Sequence, residues 1–173
     1  MLSIKFAGSG GQGAILAGMI FGKACAIYED KEVVFTESYG AETRGGFSSS
    51  SVILSDTKID YPYIINADIL VAMSQKGYNT FKDILKEDGL LIYEKDLVKI
   101  NAEKNAKGIS ATNIAKENLG KTIYVNMVIL GYLTRVTKFV SERAMINAIK
   151  DSVPEKTFEA NKNAFYLGFN ASN

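Results

Sequence analysis

Leu2-Ser3-Ile4-Lys5-Phe6-Ala7-Gly8-Ser9-Gly10-Gly11-Gln12-Gly13 is an apolar run broken by a cluster of glycines. The first six residues read as a short buried strand. Gln12 to Tyr28 follows as a helix, with Ile15, Leu16, Met19, Ile20 and Phe21 in place before any charge appears. Strand, glycine turn and helix together form the opening of a βαβ unit. The turn also satisfies G-x-G-x-x-G in the setting that a dinucleotide fingerprint requires. Its glycines let a backbone or ligand approach closely, and the unpaired N–H groups of a helix start favour an anion such as a phosphate or carboxylate. Glu37, at the end of the next strand, is the acidic residue that would then bind a ribose. A second reading stays open here: the glycines make a tight turn and let the helix pack onto the sheet or a neighbouring subunit.

Outward from this unit, Glu32 to Glu37 carries Val33-Val34-Phe35 as a second buried strand, and Phe47 to Leu54 is a third, ending in Val52-Ile53-Leu54. Ala67 to Met73 and Leu90 to Tyr93 are further apolar strands, separated by a helix from Gln75 to Leu85 and a turn at Asp88-Gly89. The pattern predicts a mostly parallel sheet covered on both faces. The last third reads as helices over Thr112–Asn118, Asn126–Val136, Ser141–Lys150 and Glu155–Gly168, with Ser141 and Pro154-Glu155 as start signals. Met127 to Leu133 is apolar on every face, which places that helix deep in the domain or against another chain. The expectation is an α/β protein, one three-layer α/β/α domain over residues 1–173.

Composition narrows the chemistry. The 173 residues include no His and one Cys, so neither a His general base nor a His-activated nucleophile is on offer. Cys25 alone cannot hold an iron–sulfur cluster or a structural zinc ion, so any such chemistry belongs to a partner. A net charge of +1, with both signs spread along the chain, gives no support to nucleic-acid or membrane-surface binding. The chain begins without a basic segment followed by a long apolar one, and Lys23 interrupts its longest apolar run, so a soluble, cytoplasmic protein is expected.

A second cluster is Tyr39-Gly40-Ala41-Glu42-Thr43-Arg44-Gly45-Gly46. Arginine is scarce, with only Arg44, Arg135 and Arg143, and Arg44 stands beside two glycines after a strand. A fixed guanidinium there suits a carboxylate or phosphate, and the glycines admit another backbone. Contact with another subunit ranks first, anion binding second, and a local ion pair with Glu42 or Glu37 third. Ser48 to Ser51 lie on the third strand and read as small residues beneath packed helices rather than nucleophiles. Ser74 and Gln75, at a strand end, are further site candidates. Asn126 reads as an N-cap and Cys25 as a packed side chain.

Taken with Ser55-Asp56, Ile59-Asp60-Tyr61-Pro62, Ala67-Asp68, Ser74-Gln75, Asn126-Met127 and Asn161 to Gly168, these segments resemble, in order and over the whole chain, the gamma subunit of 2-oxoacid:ferredoxin oxidoreductases. Tyr39 and the Ser-Asp…Ile-Asp-Tyr-Pro stretch look more like the 2-oxoglutarate type than the pyruvate type. The resemblance implies a role in coenzyme A-dependent oxidative decarboxylation of a 2-oxoacid to acyl-CoA, carbon dioxide and reduced ferredoxin. It also implies thiamine diphosphate and 4Fe–4S clusters on partner chains: alpha and beta subunits holding the thiamine cofactor, and a ferredoxin-like delta subunit. On this reading no residue of the chain is a catalyst. Gly10, Gly11, Gln12, Gly13, Tyr39, Glu42, Arg44, Gly45 and Gly46 are expected at ligand or subunit contacts, coenzyme A among the ligands. The competing expectation is an independent nucleotide-binding protein using the Gly8–Gly13 turn with Glu37.

Overall fold

The computed structural model describes residues 1–40, 46–101 and 103–171. Strand β1 (Leu2–Ser9) runs into the glycine turn and helix α1 (Ala14–Tyr28), and the chain returns as β2 (Glu32–Tyr39) and β3 (Phe47–Ser55). Then come β4 (Ala67–Ala72), α2 (Gln75–Phe81), β5 (Leu85–Glu94), β6 (Ala106–Ile109), α3 (Ala111–Leu119), α4 (Val125–Thr137), α5 (Glu142–Lys150) and α6 (Phe158–Phe169). The six strands form one sheet in the order β2-β3-β1-β4-β5-β6.

Three of its neighbouring pairs, β1–β4, β4–β5 and β5–β6, are parallel. The other two, β1–β3 and β2–β3, are antiparallel. The expected α/β sheet is therefore mostly parallel, with an antiparallel flank. The link between β2 and β3 is too short for the crossover that a parallel pair needs. Consequently β3 lies between β1 and β2, with Leu2 opposite Leu54 and Val33 opposite Leu54 on the other side. β2 is an edge strand, half-exposed rather than buried: Val33 and Phe35 pack under α1 while Glu37 to Tyr39 are in solvent.

Side chains alternate across each strand, so one face presents Ile4, Phe6, Val52, Leu54, Ile69, Val71 and Ile92 to a continuous core with α1 and α3 to α6. The opposite face carries Ala7, Leu70, Ala72 and Leu91 under Tyr78 of α2 and Val98 of the following segment. Two close approaches set the helix layer. Ser50 donates its hydroxyl to the Ala14 carbonyl (2.9 Å) beneath Gly18 of α1, as expected of small residues under a packed helix. Gly131 of α4 and Gly168 of α6 abut the backbone carbonyls of Phe165 and Val128. α4 is thus enclosed by this chain's own helices, with Val125 to Thr134 all buried, and its apolar character is not a surface feature.

Asp88-Gly89 lies inside β5, where the pairing with β4 slips between Ala67 and Ile69, rather than in a turn. β6 escapes the sequence pattern because Ala106-Lys107-Gly108-Ile109 offers no apolar alternation. No helix among the described residues is long and apolar enough to cross a membrane.

Candidate functional site

The glycine turn sits at the edge of the sheet where β1, β4, β5 and β6 end, the usual place for ligands in open α/β sheets. Gly11 and Gly13 have φ of 88° and 77°, a region that costs other residues about 1–2 kcal/mol. Gly13 caps α1 without a side chain, and a Cβ on it would overlap the Asn126 amide, so the N-terminus of α1 meets α4 here. Gln12 locks the turn: its Oε1 accepts from Ser9 N (2.6 Å), and its Nε2 donates to the Met73 carbonyl (2.8 Å) at the end of β4. Gly10 donates its amide to the Gly46 carbonyl at 2.8 Å. The turn is thereby tied to Gly46, the last residue of the second glycine cluster.

A cleft of about 340 Å³ opens beside the turn, lined by Gly11, Gln12, Leu97, Thr112, Thr122, Ile123 and Val125. Among the described residues, none but its chain neighbours lies within 4 Å of where a Gly11 Cβ would stand. Of its apolar lining, Leu97 and Ile123 keep 46% and 68% of their surface in solvent, large values for side chains of their kind. Behind the lining residues, Glu94 is a fully buried carboxylate at the end of β5. Its Oε1 accepts from Asp96 N (3.1 Å), and its Oε2 accepts from both the amide and the hydroxyl of Thr112 (2.7 and 3.0 Å). Burial pushes the Glu94 carboxyl above its ordinary value, an effect the hydrogen bonds from Asp96 and Thr112 partly oppose.

Of the residues singled out in the sequence, Gly10, Gly11, Gln12, Gly13 and Gly46 come together, and Tyr39 stands at the end of β2 with 68% of its surface exposed. Glu42, Arg44 and Gly45 lie outside the described residues. Glu37 is exposed on an edge strand and separated from β1 by β3, so a spacing of about 10 Å, two strand widths, removes it from the turn. The acidic residue of a dinucleotide fold is thus out of place.

Ser74 caps α2 by accepting from Gly77 N (3.1 Å), and Gln75 exchanges hydrogen bonds with the Lys99 backbone (2.7 and 3.1 Å), so both are occupied in holding α2. Asn126 does not cap α4. The cap is Tyr124, because a 3-10 turn over Thr122–Tyr124 leads directly into the helix, and Asn126 Oδ1 accepts from Met127 N instead. Leu97, Thr112, Ile123 and Glu94 were not singled out in the sequence. Only Glu94 carries a signal, a charged residue closing the run Leu90-Leu91-Ile92-Tyr93.

The glycine turn opening a doubly covered α/β sheet defines a class, and comparison with known proteins gives its family. The chain belongs to the pyruvate ferredoxin/flavodoxin oxidoreductase family, whose pattern matches residues 3–171. It is 46% identical over 170 residues to the 2-oxoglutarate synthase subunit KorC of Methanocaldococcus jannaschii, spanning 96% of this chain and 91% of that one. Among solved structures it is similar to a keto/oxoacid ferredoxin oxidoreductase gamma subunit from Geobacter sulfurreducens, with a TM-score of 0.86, 38% identity, and coverage of 98% of this chain and 96% of that chain. It also matches a 2-oxoglutarate:ferredoxin oxidoreductase from Magnetococcus marinus with 2-oxoglutarate, coenzyme A and succinyl-CoA bound, at a TM-score of 0.85 and 26% identity, covering 99% of this chain and 31% of the longer one.

Proposed function

We propose that this chain is the gamma subunit of a 2-oxoglutarate:ferredoxin oxidoreductase, and that its cleft beside Gly11 receives coenzyme A. The end-to-end likeness to a 2-oxoglutarate synthase subunit supports the assignment to that enzyme. The observation that carries the site is the cleft's polarity. The cleft is lined by Gly11 and Gln12, just ahead of helix α1, whose first turn carries no acidic residue to repel an anion, and by Thr112 and Thr122. Leu97 and Ile123 add exposed apolar surface to the same cleft. Coenzyme A has that make-up, a phosphate-bearing nucleotide joined to a flexible, largely aliphatic arm.

The part of this chain in the reaction is binding and placement. With one Cys in the sequence the 4Fe–4S clusters are assigned to partner chains, and the family resemblance assigns thiamine diphosphate to them as well: alpha and beta subunits for the thiamine cofactor and a ferredoxin-like delta subunit for electrons leaving to ferredoxin. Cys25 is no nucleophile, since burial and then the Glu29 charge push its thiol up to about 12. The exposed Tyr39 and the segment through Gly46 are assigned to contact with the thiamine-binding subunits. Isolation of the complex through a tag on this chain, with ferredoxin reduction assayed for 2-oxoglutarate, pyruvate and 2-oxoisovalerate, tests the assignment. Preference for 2-oxoglutarate is expected. A preference for another oxoacid overturns the substrate, and a chain recovered without partners overturns the subunit role.

A further inference from the structure

Thr112 and Leu97 stand on separate elements, and one residue that reaches neither the cleft nor solvent controls both. Glu94 is fully buried at the end of β5. Its backbone carbonyl accepts from Leu97 N (3.1 Å) and Val98 N (2.9 Å), which folds the segment after β5 into the turn that presents Leu97. Its carboxylate takes the Thr112 amide and hydroxyl, and so does the work of an N-cap for α3 from another strand. The sequence-local cap is otherwise engaged: Ser110 makes no cap bond, and its hydroxyl donates to Asp96 Oδ1 at 2.9 Å. Asp96 N in turn bonds Glu94, so β5, the Leu97 turn and the start of α3 are closed into one network.

A buried carboxylate is costly to keep, and apolar packing alone would serve a merely structural contact between β5 and α3. Three donors converge on this one: Thr112, which lines the cleft, gives two of them, and Asp96 N, in the turn that leads to Leu97, gives the third. We propose that Glu94 is a positioning residue for the coenzyme A cleft, fixing the distance between the Leu97 lip and the Thr112 wall. This rests on the reading of the cleft as the coenzyme A site. Glu94 touches no ligand; its carboxylate acts through Thr112 and, by way of the Asp96 amide, on the turn that carries Leu97.

The test uses the assembled enzyme with three separate variants of this chain. Glu94→Gln keeps shape but puts an amide hydrogen against one of its present donors, and Thr112→Val removes the hydroxyl bond while keeping the amide one. Ile123→Ser alters the lip without touching the network. KM for coenzyme A is expected to rise about tenfold in Glu94→Gln and less in Thr112→Val, with KM for 2-oxoglutarate and kcat at saturating coenzyme A unmoved. Their double variant should add nothing beyond Glu94→Gln. If both leave the coenzyme A KM within about twofold while Ile123→Ser raises it, the cleft stands and the role of Glu94 is overturned. If none of the three moves it, the cleft reading fails and the proposal with it. If the Glu94→Gln chain does not assemble, Glu94→Asp, which shortens the reach to Thr112 from outside the cleft lining, decides on the same criterion.

Discussion

The amide of Gly10 and the carbonyl of Gly46 lie 2.8 Å apart, joining the turn after β1 to the start of β3. Gly10 is exposed, yet its amide is not available to a ligand; Gly11, its neighbour, faces the open cleft. In the free chain the Gly10 amide should therefore exchange with solvent more slowly than that of Gly11. Equal rates by NMR would show that the bond does not persist in solution.

Substitution separates the same two glycines. A Cβ at Gly11 meets no described residue beyond its chain neighbours within 4 Å, but its φ of 88° is left-handed, so Gly11→Ala should cost about 1–2 kcal/mol through the backbone. Gly10 has no such conformation, and its Cβ would stand 3.2 Å from the Gly46 oxygen, which asks for a shift of a few tenths of an ångström. Gly10→Ala should be the milder change by chemical denaturation. The reverse order would contradict the described turn.

The α4–α6 crossing permits no side chain at two positions. Gly131→Ala or Gly168→Ala would drive a methyl into a backbone carbonyl of the facing helix, for about 2–3 kcal/mol and a fall in Tm of about 5–10 °C. Gly120→Ala is the comparison, since it has open space and only a left-handed φ of 67° to strain. A loss at Gly131 no greater than at Gly120 would mean that the helices are farther apart than described.

Asp68 fastens β4 to β1 and gives a pH-dependent term. Burial pushes its carboxyl up, but hydrogen bonds from Lys86 and from the amide and hydroxyl of Ser3 outweigh burial and hold it below its ordinary value. A lowered folded-state value means stability that is present above about pH 4 and lost as the pH falls through the folded value. Asp68→Asn should be less stable by about 1–2 kcal/mol at pH 7, with the difference shrinking as the pH is taken below about 4. A difference that stays constant down to pH 3 would remove the carboxylate from the account.

Cys25 supplies a chemical check on the core. With its thiol pushed up to about 12, the thiolate at pH 8 is scarcer than in a free cysteine by on the order of a thousandfold, and access is closed as well. Alkylation by iodoacetamide should be negligible in the folded chain and rapid in guanidinium. Fast native labelling would show that α1 is not packed as described.

Periodicity carried much of this architecture: the β1–turn–α1 unit, the strands ending in Leu54 and Met73, and the four C-terminal helices stand close to where the sequence places them. The antiparallel insertion of β3 was not legible, because strand order depends on pairing across the sheet and not on the pattern within a strand. β6 was hidden for a different reason. Its only strong apolar residue is Ile109, and Gly108 is there to admit the Tyr93 ring, which would stand 2.7 Å from a Cβ. In the site, the glycines announced themselves through their type and spacing. Leu97, Thr112 and Ile123 did not, since an exposed Leu or Ile has meaning only once three distant segments share one cleft. Asn126 misled because its residue type suits a cap, while the preceding 3-10 turn had already moved the helix start to Val125.

Hydrogen exchange on the assembled enzyme, with and without coenzyme A, tests the cleft most directly. Slower exchange on addition of coenzyme A is expected at Gly11 and Gln12, at Leu97 and at Ile123 together, and no change at these positions on addition of NAD. Unchanged exchange with coenzyme A, or protection of the turn by NAD, would contradict the coenzyme A reading.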